Sequence, residues 1–375
     1  MEHKNAWRYI QEDQVAADYG LATDEFLMDA YSDKESKDAT LRLYTYQNYC
    51  TLVGRFQNIH AELDLEAIRQ ENYQFSRRLT GGGAILMGQD QLGICLATAN
   101  TFNCANTREM YLLFSSPIVK ALEHFGIKAK LRGKNDLEVN GKKIAGLGIH
   151  VNQEGAIQFH TSLLVDLDIP VMLKVLNIPL QKIGDKAQIH KVEQRITTIS
   201  RETDQKVSLD EIRQVIKHCF EQHFDIQLIK KPLKVAERKN IEILANERYS
   251  NEDWLFQNSP QPDMTGMGLK KTDAGLLRTY VALKGETIKS VLITGDFTEY
   301  EQLFKTIEAQ LKWSALDKEA IGEVVNKAFT NFEGTINGIS EREMQNAIWR
   351  AALGAMKEVQ YTYEGSCYYT PPRTG

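Results

Sequence analysis

Hydrophobic and polar residues alternate along the first part of the chain in the manner of β-strands. Up to about Asp168, runs such as LRLYTY and QLGICLATA place apolar residues at alternate positions or in short unbroken rows. From Pro170 to about Ser259, apolar residues recur every three or four positions, as in LDEIRQVIKHCFEQHF, which is typical of amphipathic helices. The pattern predicts an α+β protein with a strand-rich centre covered by helices. In the first region, helices are predicted near 23–31, 63–71 and 110–125.

A change of composition marks a second domain. The segment from Asn258 to Gly268 contains two prolines and two glycines with few large apolar residues, as a connector does. Beyond it, LLRTYVALKGETIKSVLITGDF predicts two strands joined by a Lys-Gly-Glu turn, and two or three amphipathic helices follow. We therefore expect a larger mixed domain followed by a small α+β domain. The predicted bounds are 1–260, 268–358 and, for a tail without an assigned function, 359–375.

Composition and charge exclude several classes of protein. The 375 residues are 42% hydrophobic and 25% charged, which is typical of a globular rather than a disordered protein. No apolar run approaches the roughly 20 residues of a membrane span, and the N-terminus lacks the apolar stretch of a signal peptide. The five cysteines form no CxxC pair. A net charge of -5 with scattered Lys and Arg argues against nucleic acid. We expect a cytoplasmic monomer with reduced thiols and no membrane or nucleic-acid partner.

The glycine-rich stretch RRLTGGGAI, at 77–85, has the features of an anion site. Three successive glycines let the backbone approach a ligand closely and turn its N–H groups toward an anion. A bare run of glycines is equally compatible with a flexible hairpin turn. The preceding Arg77 and Arg78 favour the anion site, because paired guanidinium groups supply the positive charge that a carboxylate or phosphate requires.

A second stretch, GKNDLEVNGKKIAG at 133–146, predicts a β-hairpin with an Asn-Gly turn. Alternation across this hairpin directs Lys143 and Ala145 to one face of the sheet and Ile144 to the other. If Ile144 lies in the core, Lys143 points away from it. A lysine beside a hairpin turn is usually solvated, so this pattern by itself leaves the role of Lys143 open.

Together these stretches resemble the lipoate-protein ligase family, which shares its catalytic fold with biotin ligases and with lipoyl or octanoyl transferases. GRFQN at 54–58 precedes them in similar order and spacing, and FHTSLL at 159–164 and RITT at 195–198 continue the resemblance. It covers the first two-thirds of the chain. The fold that it implies is a mixed β-sheet catalytic domain of the biotin/lipoate ligase type with a small α+β C-terminal accessory domain.

The resemblance also implies roles for individual residues. Lys143 would be catalytic, because the matching lysine of the family contacts both the carboxylate and the α-phosphate. The residues implied to bind the acyl substrate are Arg77, Arg78, Thr80, Met87 and His160. Those implied to bind the nucleotide are Gly81, Gly82, Gly83, Ala84, Asn135 and Asp136, with Asp136 also the candidate magnesium ligand.

The activity implied by the resemblance is the activation of lipoate, or a related medium-chain acid, with ATP. The acyl-AMP would then pass its acyl group to a specific lysine of a carrier protein. ATP and Mg²⁺ would be needed, since the acid and the triphosphate repel each other until cations offset their charges. The implied partners are apo lipoyl domains of oxoacid dehydrogenase complexes or the glycine cleavage H protein.

The chain departs from the family's pattern at three places. Met87 stands where members commonly have a histidine, and Lys134 stands where their GRND motif has an arginine. The strand after Lys143 reads LGIH at 147–150, where many ligases have a serine-alanine-glutamine type of sequence. These differences leave the acyl specificity and the adenine contacts open.

Three other functions compete with the ligase. An amidotransferase of the same fold would move an octanoyl or lipoyl group through a cysteine thioester without ATP, and it would need an activated thiolate. Cys95, Cys104 and Cys219 do not match the positions where those transferases keep their nucleophile. A non-catalytic homologue that binds an acyl ligand and a biotin ligase are the remaining alternatives.

Overall fold

The chain divides into two compact units in the computed structural model. The first unit runs to Leu255 and the second begins at Phe256, except that two short earlier segments, Phe56–Ile59 and Gly81–Gly83, belong to the second unit. Lys134 and residues 362–375, which include Cys367, lie outside the described residues. The described residues are 5–32, 38–102, 104–133, 135–177, 190, 192–203, 207–297, 300–334 and 336–361.

Among the described residues of the whole chain, no helix combines the length and the apolar character that crossing a bilayer requires.

The first unit mixes strands and helices, as the residue pattern predicts. The strands of this unit are β1 (Asn5–Val15), β2 (Ala39–Tyr46), β3 (Cys50–Val53), β4 (Gln74–Arg77), β5 (Ile85–Met87), β6 (Gln91–Ala99), β7 (Lys130–Arg132), β8 (Asp136–Val139), β9 (Lys142–Val151), β10 (Ala156–Leu164) and β11 (Ile226–Lys230). Its α-helices are α1 (Ala17–Asp29), α2 (Ile59–Glu62), α3 (Leu65–Gln70), α4 (Thr107–His124), α5 (Ile169–Val175), α6 (Ile199–Glu202), α7 (Leu209–Phe224), α8 (Val235–Leu244) and α9 (Glu252–Leu255), with a π-helical turn at Ala245–Tyr249.

A mixed eight-stranded sheet forms the centre of the first unit. Its strand order is β11-β1-β2-β6-β10-β9-β8-β7. β1 runs parallel to both β11 and β2, and the remaining neighbours are antiparallel. A smaller sheet of order β4-β3-β5 lies in the same unit. The residue pattern did not reveal β1 or β11, because each acquires its partner from a distant part of the chain and β11 interrupts a predicted helical region.

Turn and capping residues set the limits of the elements around β9. Asn140 and Gly141 both have positive φ, 51° and 79°, which confirms the predicted Asn-Gly turn between β8 and β9. The Asn106 side chain accepts a hydrogen bond from the Glu109 N–H and caps α4. Ser208 caps α7 in the same way, through the Glu211 N–H.

The two faces of the large sheet have different surroundings. One face, here called the helix face, buries Leu41, Ile94 and Phe159 in a core that includes α4 and α7. The opposite face, here called the site face, follows from the strand register, because directly paired residues project to the same side. One row of the site face is Arg42, Cys95, His160 and Gly148, and the next is Tyr44, Gly93, Ser162 and Gly146.

A buried ionic network closes one end of the site face. Arg42 is fully buried and donates to Asp24 at 2.7 Å and to Glu12 at 2.8 Å. The Tyr44 hydroxyl donates to the second oxygen of Asp24 at 2.9 Å. Because a buried charge that loses its partner is strongly destabilising, these groups remain paired with one another and are not available to a ligand.

The second unit is a four-stranded antiparallel sheet with three described helices. Its first strand begins inside the segment predicted as a connector, so that prediction was wrong from Gly266 onward. Gly266 and Gly268 permit this strand to lie directly against the last helix, since a Cβ atom on them would lie 2.0 and 2.1 Å from its carbonyl oxygens. The elements are β12 (Gly266–Thr272), β13 (Gly275–Lys284), β14 (Thr287–Gly295), α10 (Glu301–Leu311), β15 (Ser314–Ala315), α11 (Lys318–Thr330) and α12 (Glu341–Tyr361).

Candidate functional site

A β-bulge in β9 determines where Lys143 points. Leu137 of β8 lies opposite Ala145, and Glu138 lies opposite Lys143, so Ile144 is an extra residue without a partner. Ile144 and Ala145 are both fully buried in the core on the helix face. Lys143 therefore projects to the site face. The prediction that Lys143 and Ala145 share a face was wrong, because a bulge changes the alternation of side chains along the strand.

Lys143 and Asp136 form an ion pair on the site face. The Lys143 Nζ lies 2.7 Å from Asp136 Oδ1, and each side chain is 34% exposed. A Cβ atom on Gly146 would lie 3.0 Å from the same Nζ and 3.4 Å from Ser162 Oγ. The ammonium group thus lies over Gly146 with a hydroxyl close by. Because solvent weakens a half-exposed pair, an anionic ligand can replace the carboxylate at small cost.

The segment 195–197 holds the backbone of Lys143. The Lys143 N–H donates to the Arg195 carbonyl at 2.8 Å, and the Thr197 N–H donates to the Lys143 carbonyl at 2.9 Å. These two bonds form a parallel bridge between Lys143 and Ile196. Two stretches that are about 50 residues apart in the sequence are therefore adjacent at the candidate catalytic lysine.

Asn135 positions Asp136. The Leu147 N–H donates to the Asn135 carbonyl at 2.8 Å, and Asn135 Nδ2 donates back to the Leu147 carbonyl at 2.7 Å. These bonds hold the start of β8 against β9, so that Asp136 pairs with Gly146 and faces Lys143. The contact of Asn135 with a nucleotide stays a prediction.

His160 and Thr80 form a neutral pair on the same face. Thr80 Oγ1 lies 2.9 Å from His160 Nε2. The imidazole lies directly over Gly148, since a Cβ atom there would be 1.9 Å from Nε2. Burial, assisted by the positive charge of Arg78, lowers the pKa of His160 from 6.5 to about 3. His160 is therefore uncharged at neutral pH, and it offers hydrogen bonds and ring surface to a ligand.

The two predicted arginines are both buried but differ in their partners. Arg78 donates a hydrogen bond to the Leu52 carbonyl, and its positive charge helps to lower the pKa of His160. Burial lowers the pKa of Arg78 to about 10, so it remains a cation at neutral pH. Arg77 instead connects separate backbone segments, and the structure does not bring it to His160 or Lys143. The carbonyls that accept hydrogen bonds from Arg77, at 2.6 to 3.1 Å, belong to Gly54, Arg55, Trp254 and Leu255.

The remaining predicted site residues lie in both units, Met87 and Ala84 in the first and the glycine run in the second. Met87 is buried in β5 within an apolar core, and Ala84 is half-buried just before that strand. The glycine run belongs to the second unit, where the Gly82 N–H donates to the Phe297 carbonyl at 2.9 Å. The φ of Gly82 is 95°, so this position favours glycine. At Gly83 a Cβ atom would meet nothing within 4 Å, so packing does not require a glycine there.

The sequence pattern did not indicate two features of the site, the glycines of β9 and the hydroxyl of Ser162. Gly146 and Gly148 give Lys143 and the His160 ring the space that they occupy, and Ser162 adds a hydroxyl beside Lys143. The detectable signal was glycine at alternate positions of one strand, which marks a face that something approaches closely.

The large mixed sheet, with α4 and α7 on one face and a lysine–carboxylate pair on the other, has the fold of the biotin/lipoate ligase type. Residues 16–221, more than half of the chain, match the family model described as Lipoyl protein ligase A/B catalytic domain. The chain belongs to this family, as the motifs around Gly81 and Lys143 predicted.

Relatives of two kinds are similar to the chain over different lengths. Octanoyltransferase LipM of Geobacillus kaustophilus is 26% identical over 278 residues, which cover 68% of this chain and 99% of the relative. Probable lipoate-protein ligase A of Mycoplasma pneumoniae is 24% identical over 335 residues, which cover 88% of this chain and 94% of the relative. The crystal structure of P. falciparum LipL1 in complex with lipoate matches with a TM-score of 0.70 at 19% identity, covering 92% of this chain and 99% of that chain. Similarity to the octanoyltransferase thus covers about two-thirds of the chain, and similarity to the ligase covers more.

The packing of His160 on Gly148 predicts how one added methyl group at position 148 changes the stability of the fold. In Gly148→Ala the new Cβ would collide with His160 Nε2, so the ring must move and lose its hydrogen bond with Thr80. We expect a loss of about 1–3 kcal/mol in the free energy of unfolding, the usual cost of overpacking. Urea denaturation of the full chain, followed by a signal from the first unit, measures this loss. In a His160→Ala background the same substitution should cost almost nothing, and an equal cost in both backgrounds would show that another contact is responsible.

The lowered pKa of His160 predicts sensitivity to acid. Its folded pKa of about 3 lies below the ordinary value of 6.5, so between these values the unfolded chain binds the proton more readily. The resulting loss in the free energy of unfolding is absent above pH 6.5 and grows as the pH falls toward 3. Wild type should therefore lose more stability between pH 7 and pH 5 than His160→Gln, whose amide does not titrate. Parallel shifts of the two urea midpoints would contradict the assignment.

Proposed function

We propose that the protein activates lipoate, or a related medium-chain acid, with ATP and transfers the acyl group from acyl-AMP to a lysine of a lipoyl carrier domain. The observation that carries the proposal is the Lys143–Asp136 pair, 2.7 Å apart and half-exposed on the site face. A partly exposed cation beside a neutral stretch of β10 is what a reaction between two anions needs.

In the first half-reaction, an oxygen of the acid forms a bond to the α-phosphorus of ATP. The bond from that phosphorus to the leaving pyrophosphate breaks. Acid and triphosphate repel each other, so an ammonium group close to both lowers the barrier and aligns them. Lys143 suits this task as a compact charge on a flexible stem, and Asp136 holds it in position until the anions arrive.

In the second half-reaction, the neutral amine of the acceptor lysine attacks the acyl carbonyl and loses its proton. The bond from the carbonyl carbon to the AMP oxygen then breaks. Negative charge develops first on the carbonyl oxygen and then on the departing phosphate. The N–H groups of Lys143 would stabilise both, so a single residue would serve both half-reactions.

Magnesium would supply further positive charge to the triphosphate. Among the described residues, no three His, Cys, Asp or Glu side chains are arranged to hold a metal ion. Mg²⁺ commonly takes only one or two carboxylates from the protein and the rest from phosphates and water. Asp136, a half-exposed carboxylate beside Lys143, fits that pattern as the one protein ligand.

We place the acyl chain along β10. Ser162 and His160 are two residues apart on the site face, about 7 Å along the strand. An acid with its carboxylate at Lys143 would pass Ser162 and reach the neutral His160–Thr80 pair. Arg78 lies behind this pair as the cation that influences His160. The assignment of the glycine run and Ala84 to the nucleotide, and of Met87 to the acyl chain, stays a prediction.

An ATP-independent octanoyl or lipoyl amidotransferase is the second candidate, and the octanoyltransferase relative favours it. That reaction needs a cysteine with a low pKa. Burial raises the pKa of all four described cysteines, Cys50, Cys95, Cys104 and Cys219. Cys95 lies directly beside His160, yet burial raises its pKa well above the ordinary value. The cysteines therefore support the ligase, as does the similarity to a ligase-type relative over 88% of the chain.

The proposal is tested by intact-mass analysis. The protein is incubated with an apo lipoyl domain of an oxoacid dehydrogenase complex, with lipoate or octanoate, and with or without ATP and Mg²⁺. We expect the domain to gain one acyl group only when ATP is present, with release of pyrophosphate. Biotin serves as the control acid and should not be attached. Transfer from an octanoylated donor domain in the absence of ATP would instead establish the amidotransferase.

Lys143→Gln should lower the rate of pyrophosphate release by about 10²-fold or more, because it removes one preorganised charge from the reacting centre. The matched control is Lys142→Gln, the preceding lysine. Lys142 pairs with Val139, whose side chain is in the core, so it lies on the opposite face of the sheet. The control should keep the wild-type rate. Equal rates for Lys143→Gln and wild type would remove the basis of the proposed mechanism.

A further inference from the structure

A row of cations follows β7, the edge strand of the large sheet. Lys128, Lys130 and Arg132 are exposed and alternate with Ala129 and Leu131, which pack against the core of the helix face. No ion pair engages these three cations within the described part of the chain. The alternation therefore gathers three cations on one side of the edge strand.

The strand register places this row on the site face. Arg132 pairs with Asp136, and Lys130 pairs with Glu138, which in turn pairs with Lys143. Directly paired residues project to the same side of a sheet, so Lys130 and Arg132 lie on the face that carries Lys143. Only one strand, β8, separates them from β9.

The cations line a groove that is open to solvent. We call it the β7 groove. Its charge is positive, although the whole chain carries a net charge of -5. Asp136, which is already paired with Lys143, and Glu138 are the carboxylates of the adjacent strand on this face. The residues that line the groove are Lys128, Lys130, Arg132, Glu138, Asn140 and Gly141.

We propose that the β7 groove docks the acceptor protein and that the acceptor is recognised by an acidic surface around its target lysine. This inference rests on the proposed function, because it assigns the partner of the second half-reaction. Two strand spacings, about 10 Å, separate β7 from β9. Glu138 of β8 also lines the groove and lies one strand spacing, about 5 Å, from its partner Lys143. An acceptor that spans the groove would therefore hold its backbone where one extended lysine side chain reaches the acyl carbonyl beside Lys143.

The position of the groove favours a protein partner over the phosphates of ATP. The groove runs along β7, the outermost strand, to the β8–β9 hairpin turn at Asn140 and Gly141, and neither Lys143 nor Asp136 is among its lining residues. Opposite charges at such a rim accelerate association and orient the partner, and they contribute less to chemistry. The expected consequence is a defect in the use of the acceptor and none in adenylate formation.

The test separates the two half-reactions in charge-reversal variants. Lys128→Glu/Lys130→Glu alters the groove, and Lys230→Glu/Lys231→Glu makes the same change of charge at β11, the opposite edge of the same sheet. Pyrophosphate release without acceptor reports the first step. Transfer from preformed lipoyl-AMP to an apo lipoyl domain reports the second, and transfer to hydroxylamine reports the same chemistry without docking. Because cations on edge strands also prevent aggregation, size-exclusion chromatography accompanies each variant.

We expect the groove variant to raise the KM for the apo lipoyl domain by about tenfold or more, with kcat, pyrophosphate release and transfer to hydroxylamine close to wild type. The control variant should match wild type throughout. Adding NaCl should raise the wild-type KM toward that of the groove variant, because salt screens the attraction.

Two results would overturn the docking assignment. One is an unchanged KM for the lipoyl domain in the groove variant. The other is a loss of pyrophosphate release in that variant, which would assign the cations to the triphosphate. Failure of the proposed function looks different, since wild type itself would then release no pyrophosphate with lipoate. In that case transfer from preformed lipoyl-AMP still decides whether the groove binds the acceptor.

Discussion

The pairing of β8 with β9 around one extra residue is the constraint on which the site depends. The Asn140–Gly141 turn fixes the register of the hairpin, and the bulge at Ile144 lets Ile144 and Ala145 both enter the core. In a regular strand Lys143 would share the face of Ala145 and enter that core as an unpaired charge, at high cost. The packing of the helix face therefore enforces the orientation of Lys143, and the bonds to Arg195 and Thr197 complete the pairing of its backbone.

Charge and burial divide the site face into parts with different chemistry. The Arg42–Asp24 network is buried and its opposite charges are paired, so it connects the sheet to α1 and leaves no net charge there for a ligand. The His160–Thr80 pair is neutral, because burial depresses the pKa of the histidine. Lys143 and Asp136 are charged, opposed and half-exposed. The accessible charges of this pair therefore lie at the β9 end of the face, whereas β10 is neutral at His160.

The sequence predicted the local features of this site better than the distant ones. The Asn-Gly turn, the strand carrying His160 and the cation at Lys143 were predictable, because turn residues and alternation act over a few residues. The bulge was not, since Lys143, Ile144 and Ala145 read as ordinary alternation and only the packing of the core requires an extra residue. β1 and β11 were missed because each is stabilised by a parallel partner far away in the chain. Likewise, no local signal shows that Gly81–Gly83 belong with the second unit rather than with the strands that flank them in sequence.

Relatives of the chain include both an octanoyltransferase and a probable lipoate-protein ligase, and the proposed use of the site face is compatible with both reactions. Both reactions end with the attack of a lysine amine on an activated acyl carbonyl, so both need a charge or donor at the carbonyl oxygen and a surface for the chain. The Lys143 region and β10 would provide these for either reaction. The two chemistries differ in the group that carries the acyl chain, a phosphate or a thiolate. That difference depends on whether a thiol of low pKa reaches the carbonyl, and here burial raises the pKa of the described thiols, including Cys95 beside His160. Under the proposed assignment the site face by itself would serve either activity, and the raised pKa of the nearby cysteines is the physical property on which the preference for the ATP-dependent proposal rests.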